Sequence, residues 1–163
     1  MDKILPLLVW AMPISFLLHV TEEFFFPGGF ISWFHRYRPK CEGTKTSHYI
    51  AINVLGFLLI LAAAIKMSVS HSEYGNLLII LGILSCNGIF THLLGAVRTK
   101  TYSPGMVTSI VLYLPLTVLS YLTVLSSGRL NPAWLPLCIA LGPLMELYSV
   151  LRRPHGADMT VRH

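Results

Sequence analysis

Residues 4–26 read ILPLLVWAMPISFLLHVTEEFFF. Apart from its last third the run is apolar on every side, and about 20 such residues cross a hydrocarbon core of about 30 Å. A secretory leader would end in a small-residue cleavage site. Glu22 and Glu23 stand where one would be needed, so the run is expected to persist as a membrane helix.

Working outward, residues 49–67, 75–97, 104–125 and 132–151 form four more runs of this kind. The composition agrees. Of 163 residues, 54% are hydrophobic and 12% charged, with a mean hydropathy of +0.65. That charge fraction is about half a soluble domain's, which excludes a disordered chain and most soluble enzymes. Cys41, Cys86 and Cys138 are too far apart for a zinc module or a disulfide scaffold, and read as small core residues. The expected fold is all-α: a polytopic bundle of five transmembrane helices within residues 1–151, followed by a short polar tail, 152–163. No repeat or second domain is visible.

The formal charge of +5 does not point to nucleic acid, because no soluble basic face could carry it. In a membrane protein basic residues gather in cytoplasmic loops. Lys3, Lys66 and Arg129 fall on one side; Arg36, Arg38, Lys40, Lys45, Arg98, Lys100, Arg152, Arg153 and Arg162 fall on the other. The imbalance places the N-terminus outside and the C-terminus in the cytoplasm, with the plasma membrane as the location in a bacterial source. Phe30, Trp33, Phe34 and Tyr37 follow helical spacing in the first loop. They predict an amphipathic helix over about 30–38, lying in the cytoplasmic interface either as an anchor or as a lid over a site within the membrane.

Helix punctuation is present as well. Ser103-Pro104 and Asn131-Pro132 each read as an N-cap with proline at the first helical position. Pro13 and Pro143 lie within spans, where proline kinks a helix.

Polar groups inside a span are costly and face the bundle interior. With this topology, His19, Glu22, Glu23, Asn53, His92, Thr108 and Glu146 fall into one layer, roughly 5–12 Å inside the cytoplasmic boundary. The opposite half has few equivalents. The asymmetry predicts a pocket open to the cytoplasmic leaflet rather than a polar path across the membrane. His19 and Glu23 share a helix face, while Glu22 lies on the other flank of His19, so the two carboxylates diverge. The pattern suits two chemistries: a divalent metal held by His19, Glu23 and His92, or acid/base catalysis by carboxyl groups of different pKa. Gly88, Gly95 and Ala96 give His92 a small-residue face that lets a neighbour approach. Asn87, five residues earlier, shares that face only if the helix carries a bulge. Arg98, Tyr102 and Thr108 would position a substrate head, and the free N–H groups after Pro104, flanked by Arg98 and Lys100, suit an anion. Glu146 could join the pocket or reach a terminal arginine. Asn53, one turn from Gly56, reads as helix packing.

His19-Val-Thr-Glu22-Glu23 resembles the motif of the HXXEE family of small membrane proteins. Tyr102-Ser-Pro104-Gly105-Met-Val-Thr108 is similar to that family's Tyr-x-Pro-Gly-x-x-Thr motif. Asn87 and His92 lie between the two like the family's Asn…His pair, with four intervening residues where the family has three. The resemblance implies a membrane protein with an enzymatic role carried by its polar motifs, and it names no substrate. Three classes stay open: an intramembrane isomerase, cyclase or hydrolase acting on a lipid or isoprenoid-like substrate through His19, Glu22, Glu23 and His92; a lipid-binding or assembly subunit; and a proton-coupled transporter. The sequence does not set an oligomeric state.

Overall fold

The first apolar run forms α1, Ile4–Phe24, in a computed structural model that describes residues 4–151. The tail 152–163, with Arg152, Arg153 and Arg162, lies outside the described residues, as does the side chain of Glu146. Every regular element among the described residues is helical. After α1 come α2 (Phe30–Tyr37), α3 (Thr46–Ser70), α4 (Gly75–Thr99), α5 (Met106–Ser126) and α6 (Leu135–Leu151).

Helices α1, α3, α4 and α5 are long and apolar enough to cross a membrane. The fifth apolar helix, α6, has 17 residues, and its apolar part is Leu135–Met145. One face of α1 (Leu5, Leu8, Val9, Met12, Phe16) is buried against Ile60, Ala64 and Met67 of α3 and Leu77, Leu78 and Leu81 of α4. The opposite face exposes Leu7, Trp10, Ile14, Leu17 and Leu18, and α3 exposes Ile52, Leu55, Leu58 and Leu59. A water-soluble chain does not leave such continuous apolar surface uncovered; lipid covers it here. This is a multi-pass membrane protein.

Small residues set the close crossings, as packing within a membrane requires. A Cβ on Gly142 would come within 2.7 Å of both Cys86 Sγ and the Gly82 carbonyl oxygen, which holds α6 tightly along α4. A Cβ on Gly56 would touch Phe16, so Gly56 is one of the contacts of α3 with α1. Asn53 spends its amide on the Tyr49 carbonyl of its own helix, 3.1 Å away. Pro13 and Pro143 both lie inside helices.

Two helix starts differ in detail from the expected punctuation. Gly105 has φ +96, so Pro104 lies in a turn and α5 begins at Met106. Ser103 is therefore no cap; its hydroxyl faces His92 instead. Asn131 does cap, accepting the Ala133 N–H at 3.0 Å. What it starts is a single 3-10 turn, Pro132–Trp134, and the α-helix follows from Leu135.

Both α4 and α5 widen partway along. Gly88–Leu93 and Ser109–Tyr113 are π-helical, a form that appears mostly as single turns at functional sites. The two wide turns meet where Gly88 faces Ser109: a Cβ on that glycine would stand 2.7 Å from the serine Cβ.

Candidate functional site

The end of α1 delivers His19 and Glu23 to the bundle interior one turn apart, and the π turn of α4 delivers His92 opposite them. All three are buried. Glu23 Oε1 lies 3.5 Å from His19 Nε2 and 3.4 Å from His92 Nε2. One ligand atom from each residue lies within 4.8 Å of the other two.

Each imidazole is held from behind. His19 Nδ1 is 2.9 Å from Thr108 Oγ1. That hydroxyl donates to the Gly105 carbonyl at 3.2 Å, so it accepts from His19 Nδ1–H and leaves the Nε2 lone pair turned toward Glu23. His92 Nδ1 is 3.1 Å from Ser103 Oγ, and its fully buried Nε2 has no hydrogen-bond partner among the described residues. A hydroxyl on the far nitrogen that fixes the tautomer and ring orientation in this way is the usual support of metal-ligating histidines.

The two carboxylate–imidazole separations fit a shared ion. Ligands about 2.0–2.2 Å from a tetrahedral centre stand about 3.4 Å from one another, which is longer than a good N–H···O hydrogen bond. The Glu23 oxygen meets both imidazoles at that separation. Two imidazoles and a carboxylate suit zinc or ferrous iron and leave a coordination position open. The shape of the site depends on Gly105. A Cβ there would fall 2.6 Å from His92 Cε1 and 2.8 Å from His19 Cε1, at a backbone angle that side chains rarely adopt.

Glu22 points elsewhere. Its carboxylate accepts the Val107 N–H at 3.0 Å, the Thr108 N–H at 2.8 Å and the Tyr102 hydroxyl. It thus occupies the start of α5, where free N–H groups and the helix dipole favour a negative charge. The anion position expected after Pro104 is filled from within the protein by Glu22. Burial, and then the Glu22 carboxylate, push the Tyr102 phenol above its ordinary value. The predicted divergence of the two carboxylates is therefore present, with Glu23 on the histidines and Glu22 on α5.

Helix α2 roofs the cluster with the predicted aromatic stripe. The Trp33 ring lies parallel to His92 with centroids 6.1 Å apart, and Phe30 is 5.6 Å from the same imidazole. Gly95 admits the indole, since a Cβ there would stand 2.6 Å from Trp33. Trp33 Nε1 donates to Thr99 Oγ1, and the Tyr37 hydroxyl donates to the Phe90 carbonyl, so the middle and the end of the roof are fixed to α4.

Of the other expected site residues, Thr108 holds His19 and Tyr102 holds Glu22. Asn87 stands immediately before the π turn and donates to Thr91 on its own helix. Arg98 is exposed beyond the roof, in a cleft with Arg36. Two neighbours were not foreseen. Ser103 orients His92, and its place in the Tyr-Ser-Pro-Gly stretch was the only available signal. Tyr113 packs its ring 4.8 Å from His19, is fully buried, and has a hydroxyl without a hydrogen-bond partner among the described residues.

No curated protein and no solved structure matches the chain. A family model described as a protein of unknown function with HXXEE motif matches residues 10–120, which contain every member of the cluster. The chain belongs to this HXXEE-motif family.

Proposed function

We propose that this protein is an intramembrane enzyme whose His19, His92 and Glu23 hold a divalent metal ion and act on a lipid or isoprenoid-like substrate. The observation that carries the reading is the convergence of three buried ligand atoms, each imidazole already oriented by a hydroxyl on its far nitrogen. Paying to bury a carboxylate between two histidines for packing alone is poor economy in a membrane. A metal held by three protein ligands supplies Lewis-acid chemistry to an oxygen placed at the open position. The chain's own groups orient the ligands (Thr108, Ser103), shut out water (Phe30, Trp33) and hold α5 in place (Glu22, Tyr102).

In this reading α6 is a fifth span, the N-terminus is outside, and the cluster lies toward the cytoplasmic leaflet. There the basic residues of the first and third loops meet the headgroups. Helix α2 lies in the interface and closes the site, and a bacterial source places the protein in the plasma membrane. An apolar substrate enters from the bilayer, which fits lipid hydrolysis, isomerisation or cyclisation better than chemistry on a soluble metabolite.

The test is turnover. The full chain is reconstituted with a total lipid extract and a divalent metal, and lipids are profiled by mass spectrometry before and after incubation. A lipid species consumed by wild type and left intact by Glu23→Gln supports the enzyme. Identical profiles for both proteins across zinc, iron and manganese contradict it and favour a lipid-binding subunit.

A further inference from the structure

Beyond the roof, Arg36 of α2 and Arg98 near the end of α4 line a cleft of about 410 Å³ together with Tyr37, Thr99 and Thr101. Both arginines are exposed, and neither has an ion-pair partner among the described residues. Two like charges from separate elements therefore face one cleft, an arrangement that an anion relieves. The two helices that carry them are tied together beside the site already described. Tyr37 and Trp33 both pack on Gly95, and Trp33 also donates to Thr99.

The hydroxyls around the cleft are arranged in series. Thr99 Oγ1 donates to the Gly95 carbonyl at 2.9 Å, so it is the acceptor in its 2.9 Å pair with Thr101. Thr101, on the exposed rim, gives its one proton to Thr99 and can donate to a ligand only by releasing that bond. The two guanidiniums carry the charge and present forks that match phosphate oxygens.

We infer that this cleft binds the terminal phosphomonoester of a phosphorylated amphiphile, and so names the substrate class for the centre proposed above. Arg98 follows His92 by six residues, roughly 9 Å along a helix. Arg36 follows Trp33, which covers His92, by one turn. A phosphate held here stands too far from His19, His92 and Glu23 to be the group that reacts. It places instead a bond several atoms further along the chain at the cluster. This inference rests on the reading of the cluster as a reaction centre only for that last step; the phosphate subsite stands by itself.

The full chain in a neutral detergent is titrated with lysophosphatidic acid, with lysophosphatidylcholine and with inorganic phosphate, and followed by tryptophan fluorescence and calorimetry. Lysophosphatidic acid is expected to bind, and the Arg36→Gln/Arg98→Gln variant to bind it at least about tenfold more weakly. Much weaker binding of inorganic phosphate assigns the site to a lipid headgroup; comparable binding assigns it to a free anion. Equal binding of lysophosphatidylcholine, or an affinity unchanged in the double variant, overturns the inference. Metal content measured on the same samples separates the two readings. Lost phosphate binding with metal retained in the variant confirms a separate subsite, whereas absent metal in wild type with phosphate binding intact contradicts only the metal centre.

Discussion

Glu23 and His92, 69 positions apart in the chain, meet at 3.4 Å between Oε1 and Nε2 in the bundle interior. Among the described residues the Nε2 has no hydrogen-bond partner, and the same Glu23 oxygen stands 3.5 Å from the second imidazole. The centre is thus tied to how α4 is set against α1.

Glu22→Gln tests the division of labour between the two carboxylates. The variant keeps an acceptor for α5 but loses its charge, and is expected to cost about 1–2 kcal/mol of stability while retaining bound metal. Thermal unfolding with metal analysis checks this. A variant of wild-type stability that loses its metal would place Glu22 in the centre.

Thr108→Val conserves shape and removes the group that holds His19 Nδ1. Loss of such an outer partner lowers metal affinity by about 10- to 100-fold. Competition with a chelator of known affinity measures it, and an unchanged affinity would show that Thr108 does not set the imidazole.

Gly105→Ala strikes both imidazoles and the backbone together. The added Cβ meets His92 and His19 at 2.6 and 2.8 Å, at φ +96. The backbone conformation alone costs about 1–3 kcal/mol. The expected outcome is a lower melting temperature and lost metal binding, whereas Gly128→Ala, also at positive φ but with open space around it, leaves the metal bound.

Tyr102 predicts a pH dependence outside the spans. Its phenol is held neutral against Glu22, with a folded pKa above the ordinary value of 10.0. The unfolded chain loses the proton first, so this bond's contribution is fully present below about pH 10 and is lost as pH rises toward the folded value. The stability difference between wild type and Tyr102→Phe is expected to be flat from pH 7 to about 10 and to shrink above it. A difference that shrinks below pH 9 would contradict the assignment.

The cluster was legible because two of its members lie one turn apart on a single helix, and because alternating helix direction puts the third at the same depth. The aromatic stripe announced α2 in the same way. What was not legible depends on tertiary contact. Ser103-Pro104 looks like a helix start, but Gly105 takes φ +96, with the two imidazoles packed where a side chain would stand, and α5 starts only at Met106. The free N–H groups that suggested an external anion are met by Glu22, which reaches them from a helix more than 80 residues away in sequence. Asn87 and His92, five positions apart, are joined through the π turn Gly88–Leu93; the spacing hinted at a bulge, but only packing against α5 shows where. Tyr113 gave no signal at all, since its position beside His19 follows from the second π turn.

The most direct measurement is the metal content of the full chain, purified in mild detergent without chelator, for wild type, His19→Ala and His92→Ala. The account predicts close to one divalent ion per wild-type chain and its loss from both variants, with the helical circular dichroism of all three alike. Wild type without metal across several divalent ions, or a metal that survives both substitutions, would contradict it.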